Sequence, residues 1–233
     1  MNDGKLLPFE EADKITDQFP EGKSKIYLLS SAPDKVVREA LFSYANVTEK
    51  RAAETFDEAK KYFYRLRDNY GLAIPNIDLV TKNGEDGAPV TYMVVDKITP
   101  ALPERNLLDA KELPNDSKDK LDSFYSGLIR SVRDDYRSGD PFWVDFNSNQ
   151  VMYGRRAGET EDRFYIIDVD AYISQPLEKN SDDDGSRRFM VESEMSKFDR
   201  HITLSEGKFS GETKLDKARA ALEDLKTVLD KEA

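Results

Sequence analysis

Phe142-Trp143-Val144-Asp145-Phe146-Asn147-Ser148-Asn149-Gln150-Val151-Met152-Tyr153-Gly154 leads through a polar run into Phe164-Tyr165-Ile166-Ile167-Asp168-Val169-Asp170-Ala171-Tyr172. Asp145 follows one short apolar run and Asp168 another. Gln150 to Tyr153 is a third run, closed by Gly154. Runs of this length, separated by polar residues, read as short paired strands. Carboxylates at the ends of paired strands can hold a divalent cation and steer an attacking hydroxyl. The same two aspartates also read as ordinary turn residues, since Asp favours turns. Both readings stay open at the level of these residues.

The rest of the chain sets bounds. Its 233 residues suffice for one large domain or two small lobes around a cleft. A charged content of 35% is high, but twelve Phe and eleven Tyr supply the material of a core. The net charge of −11 argues against a general nucleic-acid backbone binder. The absence of cysteine excludes thiol catalysis, disulfides and cysteine zinc sites. His201 is the single histidine, and its polar surroundings make it read as incidental. Neither a signal-peptide run nor a membrane-length apolar stretch is present, so a soluble, cytoplasmic protein is expected, without a membrane partner.

Taken in order, Glu21-Gly22-Lys23-Ser24 is a small polar turn feeding the apolar strand Ile26 to Leu29. Pro33-Asp34 reads as the turn of a hairpin that returns along Lys35 to Arg38. Ala52, Phe56, Ala59, Phe63, Leu66 and Tyr70 recur at helical spacing, and Gly71 is placed to stop that helix. Its start is ambiguous between Asn46-x-x-Glu49 and Thr55-x-x-Glu58. Ile74 to Val80 and Thr91 to Asp96 flank the turn cluster at Asn83 to Gly87 and predict a second hairpin. Pro100 and Pro103 break the following crossing.

A second long helix is expected from Ser117, buried along Leu121, Phe124, Tyr125, Leu128, Ile129, Val132 and Tyr136. It should end at Ser138-Gly139-Asp140-Pro141. Residues 178–188 read as a mobile acidic loop. Thr213 to Ala233 reads as a last amphipathic helix docked on the domain.

This succession resembles the protein-kinase-like fold, in particular the small aminoglycoside-phosphotransferase-type members, over roughly residues 20–175. The resemblance implies an α+β fold in two lobes. Residues 1–96 would be a small β-rich nucleotide lobe and residues 97–233 a helical C-terminal lobe. It implies ATP and magnesium as ligands. Gly22 and Ser24 would cover phosphates, and Arg38 would stand at the phosphate-pairing lysine position with Glu54 or Glu58 of the next helix as its partner. Val94 to Ile98, including Asp96 and Ile98, would be the hinge that meets adenine. Asp145 would be the catalytic-loop aspartate, Asp168 the metal aspartate, and Gln150 or Asn149 the metal-binding amide.

The departures are specific. The phosphate loop has one glycine, Arg38 replaces a lysine, and Trp143 occupies the usual histidine position. Asp168-Val169-Asp170 replaces Asp-Phe-Gly. Glu21 to Tyr27, with Pro33-Asp34, also looks like the opening of the SAICAR synthetases, whose nucleotide lobe is similar to that of kinases. Two functions follow from these resemblances. One is an ATP-dependent phosphotransferase acting on a hydroxyl acceptor. The other is a degenerate, pseudokinase-like module that binds a protein partner.

Overall fold

The computed structural model describes residues 12–14, 26–29, 32–39, 49–83, 89–104, 106–140, 142, 146–167, 184–211 and 213–231. Within them the chain is mixed α+β, with four α-helices and two antiparallel sheets. The larger sheet holds β1 (Ala12–Lys14), β2 (Ile26–Leu29), β3 (Ala32–Glu39), β4 (Ile77–Asn83) and β5 (Pro89–Asp96), in the order β1-β2-β3-β5-β4. Helix α1 (Glu49–Tyr70) is inserted between β3 and β4.

The first hairpin forms, but Pro33-Asp34 is not its turn. Both residues belong to β3. The β2–β3 register jumps between Leu28, opposite Val36, and Leu29, opposite Ala32. Pro33 therefore sits in a bulge that asks no ladder N–H of it, which is where an interior strand tolerates proline. The second hairpin pairs Ile77 with Val95 and Asn83 with Pro89, as the turn cluster between them predicts.

Helix α1 buries Phe56, Ala59, Phe63 and Leu66 along the expected stripe. It stops at Gly71, whose φ of 70° is left-handed. It is already helical at Glu49, which excludes the later expected start at Thr55, while Asn46 lies outside the described residues. Helix α2 (Lys118–Ser138) buries Leu121, Phe124, Tyr125, Leu128, Ile129 and Val132, and ends at Gly139 with φ 73°. Tyr136 is only partly buried. Two buried glycines mark close backbone approaches. A Cβ on Gly127 of α2 would stand 2.8 Å from the Tyr70 carbonyl oxygen, and one on Gly154 would stand 2.2 Å from that of Thr99.

The smaller sheet consists of β6 (Ile98–Pro100), β7 (Val151–Arg156) and β8 (Arg163–Ile166), in that order. The polar run after Gly154 is thus a hairpin turn between two short strands, as its sequence predicts.

The acidic segment is corrected from residue 184 onward. There the chain is already helix α3 (Asp184–Glu206), and residues 178–183 lie outside the described set. The reason is tertiary. Arg187 donates to the carbonyls of Asp135 and Tyr136, which also accept backbone N–H groups of the α2 cap, and to that of Asp140 just beyond it.

Helix α4 (Asp216–Lys231) docks on the domain as expected, burying Ala218, Ala221, Leu225 and Leu229. Its N-terminus is capped from another helix: Asp122 of α2 accepts the N–H groups of Lys217 at 3.2 Å and Ala218 at 2.8 Å. One continuous apolar cluster runs from Phe56 through Met93, Phe124 and Phe146 to Leu229.

Candidate functional site

Ile167 donates its N–H to the Gln150 carbonyl at 2.8 Å, and Val151 lies opposite Ile166 in the β7–β8 ladder. The two segments that carry the candidate acids therefore meet at one end of this hairpin. Asp145 and Asp168 themselves lie outside the described residues, one position beyond Phe146 and Ile167 respectively.

The segment after Asp145 is fixed by its own sequence and by α3. Asn147 caps the short 3-10 turn Ser148–Gln150: its side chain accepts the Asn149 N–H, and Gln150 Oε1 accepts the Asn147 N–H at 2.9 Å. The Phe146 N–H donates to Glu194 Oε2 at 3.2 Å, and Lys197 holds the other oxygen of that buried carboxylate at 2.7 Å. Ser148 Oγ lies 2.7 Å from His201 Nδ1, and the Tyr125 hydroxyl bridges Ser148 and Ser205. The Phe146 ring stands edge-on to His201 and Tyr125 and tilted on Phe198.

His201 is thus a buried loop anchor, which corrects the reading of an incidental tail histidine. Burial lowers its pKa first, and the charges of Arg200 and Lys197 lower it further. The signal for this helix was in the sequence. Val191, Glu194, Phe198, His201, Ile202 and Ser205 recur at helical spacing, but polar residues inside the stripe break its apolar pattern.

The expected hinge lies where the two sheets join. Asp96, at the end of β5, accepts from Lys35 of β3 at 2.5 Å. It also accepts from the N–H of Asn76 at 3.1 Å, from Asn76 Nδ2 at 2.7 Å and from Arg156 of β7 at 3.5 Å. Burial would raise the Asp96 pKa, but Lys35, the Asn76 N–H and Arg156 outweigh it and hold the carboxyl below its ordinary range. Arg156 continues the network to Glu159 at 2.6 Å, and Glu159 meets the Tyr165 hydroxyl. Burial opposes ionisation of Glu159, yet these partners bring its pKa down to about 2. The Asp96 N–H donates to the Asn76 carbonyl and the Lys97 N–H to the Asp34 carbonyl. Ile98 is buried in β6 opposite Arg156.

Of the other candidates, Gly22 and Ser24 lie outside the described residues. Arg38 lies on β3, opposite Ile26 of β2 and Met93 of β5. Glu54 belongs to α1; Glu58, also on α1, is exposed. Asn149 is exposed and Gln150 partly so. Among the described residues no group of three or more His, Asp or Glu side chains is placed to hold a metal ion. Nor is any described helix long and apolar enough to cross a membrane. Lys35, Glu194 and His201, which contact Asp96, Phe146 and Ser148, are the residues the sequence reading missed.

No protein-family model matches the chain, and no curated protein matches it either.

Proposed function

We propose that the chain is a two-lobed, kinase-like, ATP-dependent phosphotransferase acting on a hydroxyl acceptor. The bond between the Ile167 N–H and the Gln150 carbonyl carries this reading, because it makes one place of the segments that lead to Asp145 and Asp168. The element order supports it. The third strand of the large sheet carries Arg38, the next helix carries Glu54 and Glu58, and the sheet ends at the crossing near Asp96. That is the sequence of parts by which kinases place a phosphate-pairing base, its helix acid and a hinge.

In this reading Asp145 accepts the acceptor's proton as its oxygen attacks the terminal phosphorus and ADP leaves. Arg38 and the amides around Gly22 and Ser24 offset the phosphate charge. Asp168 and an amide oxygen make a hard donor set suited to magnesium. Asn149 is the amide we assign, since the Gln150 side-chain oxygen already accepts the Asn147 N–H. When bound, the ion would neutralise charge on the β- and γ-phosphate oxygens. The clamps on Phe146 and Ser148 would hold the Asp145 loop in place, as positioning requires.

One observation favours a second reading, a degenerate module that binds a protein partner. The N–H groups of Asp96 and Lys97 are already bonded to Asn76 and Asp34, so adenine would have to compete for them.

Thermal unfolding with ATP and magnesium separates the two. A ligand at a hundredfold excess over its Kd stabilises by about 2.7 kcal/mol, a rise of about 5–10 °C for a chain of this size. Asp145→Asn should keep that rise and lose turnover, and Asp168→Asn should lose its magnesium-dependent part. No rise at millimolar nucleotide would leave the partner-binding module standing.

A further inference from the structure

An open cleft of about 620 Å³ lies between the end of α1, the outer side of α2, the β8 strand and the start of α4. None of its lining residues belongs to the hinge or to the loop 146–150. Tyr70 and Phe124 contribute aromatic surface to it. Four cations line it, Lys120, Arg130, Arg163 and Lys217, against two carboxylates, Asp119 and Glu161. That excess runs against a chain whose net charge is −11.

Among the described residues, none of the four is in an ion pair. Of the cations near them in sequence, Arg133 is paired with Asp134 and Asp224, Arg156 with Glu159, and Arg219 with Asp199 and Glu206, whereas Lys118 and Lys214 are not paired among the described residues. The cleft cations make only neutral contacts. Lys120 donates to the Asp162 carbonyl, Arg130 to the Ser126 carbonyl and Lys217 to the Ser123 hydroxyl. Arg130, Arg163 and Lys217 are exposed.

The spacing of these charges selects the ligand. Lys120 and Arg130 stand ~15 Å apart along the α2 axis, at 1.5 Å per residue. A single phosphate spans far less. An extended peptide rises about 3.3 Å per residue, so about five residues cover the distance. The volume falls within the range of ligand clefts, and the aromatic surface suits an apolar side chain between acidic ones.

We propose that this cleft docks an extended acidic segment of a partner protein. Cationic side chains at its rim steer and select the segment, and the aromatic surface seats one of its apolar residues.

Fluorescence anisotropy tests this with a fluorescein-labelled, glutamate-rich octapeptide that has one central tyrosine. No nucleotide is present, so the result stands apart from the phosphotransferase reading. The wild-type chain should bind it saturably, more weakly as salt rises, and a lysine-rich octapeptide should not bind. Arg163→Glu with Lys217→Glu should weaken binding at least ~tenfold with an unchanged melting temperature, since both side chains are exposed. Lys226→Glu, exposed on α4 outside the cleft, should leave binding unchanged. Absence of saturable binding by the wild type, or equal affinity in the double variant, overturns the proposal. So does tighter binding of a single-stranded oligonucleotide than of the peptide.

Discussion

Glu194 of α3 accepts the backbone N–H of Phe146 at 3.2 Å, across 48 positions of sequence, and so fixes the residue that follows Asp145. The carboxylate is almost wholly buried, and Lys197 at 2.7 Å balances its charge. A buried acid of this kind is retained only while its partners remain, because an unpaired buried charge is costly.

Glu194→Ala removes the carboxylate that accepts from both the Phe146 N–H and Lys197. It should destabilise by about 2–3 kcal/mol, as expected for a lost hydrogen bond to a charged group. Glu194→Gln keeps an acceptor and should cost less than half of that. Urea midpoints give the energies, and hydrogen exchange at the Phe146 amide reports the local effect. Unchanged protection of that amide in Glu194→Ala would show that the contact does not hold the loop.

His201 makes stability depend on pH. Its folded-state pKa lies below the ordinary 6.5, because burial and the nearby Arg200 and Lys197 charges disfavour the imidazolium. Between that lowered value and 6.5 the unfolded chain binds the extra proton. The contribution of the neutral, buried ring is therefore complete above 6.5 and lost as pH falls, by at most about 1.4 kcal/mol per unit. The stability gap between wild type and His201→Asn should narrow from pH 7.5 to 5.5. A constant gap across that range contradicts the assignment.

Asp96 carries the opposite sign. Its pKa is depressed, so its stabilisation is present above the unfolded carboxylate range and disappears as pH falls through the folded value. Asp96→Asn keeps the shape but weakens the bonds from Lys35, Asn76 and Arg156, and should cost about 1.5–3 kcal/mol at neutral pH. Its cost should shrink towards pH 3. Unfolding at neutral pH indistinguishable from wild type would mean the junction of the two sheets does not depend on this charge.

Gly127 presents two opposed effects. Ala in a helix interior is favoured over Gly by about 1 kcal/mol. Here the new Cβ would lie 2.8 Å from the Tyr70 carbonyl oxygen and 3.2 Å from Leu72, at the crossing of α1 and α2. Overpacking against backbone costs ~1–3 kcal/mol, so the clash should win and Gly127→Ala should lower the melting temperature. A variant more stable than wild type would mean that α1 and α2 separate readily at this point.

The sequence by itself determined the elements whose patterns are local. The stripe Phe56 to Leu66, the glycine at Gly71, the turn between Asn83 and Pro89, and the run Leu121 to Val132 each specify one helix or hairpin through short-range sterics and periodic burial. The strand pair Val151 to Ile166 was legible for the same reason. What only the tertiary structure decided involves groups distant in sequence. Pro33 enters a strand because β2 and β3 slip past one another there. The segment from Asp184 is helical, and its Arg187 is tied to the carbonyls at the end of α2, a contact across 47 to 52 positions. His201 and Glu194 matter because burial in one core brings them to Ser148 and Phe146. No local pattern encodes those meetings, since a hydrogen bond across the core depends on where two separately formed elements pack, and that is set by the whole chain at once.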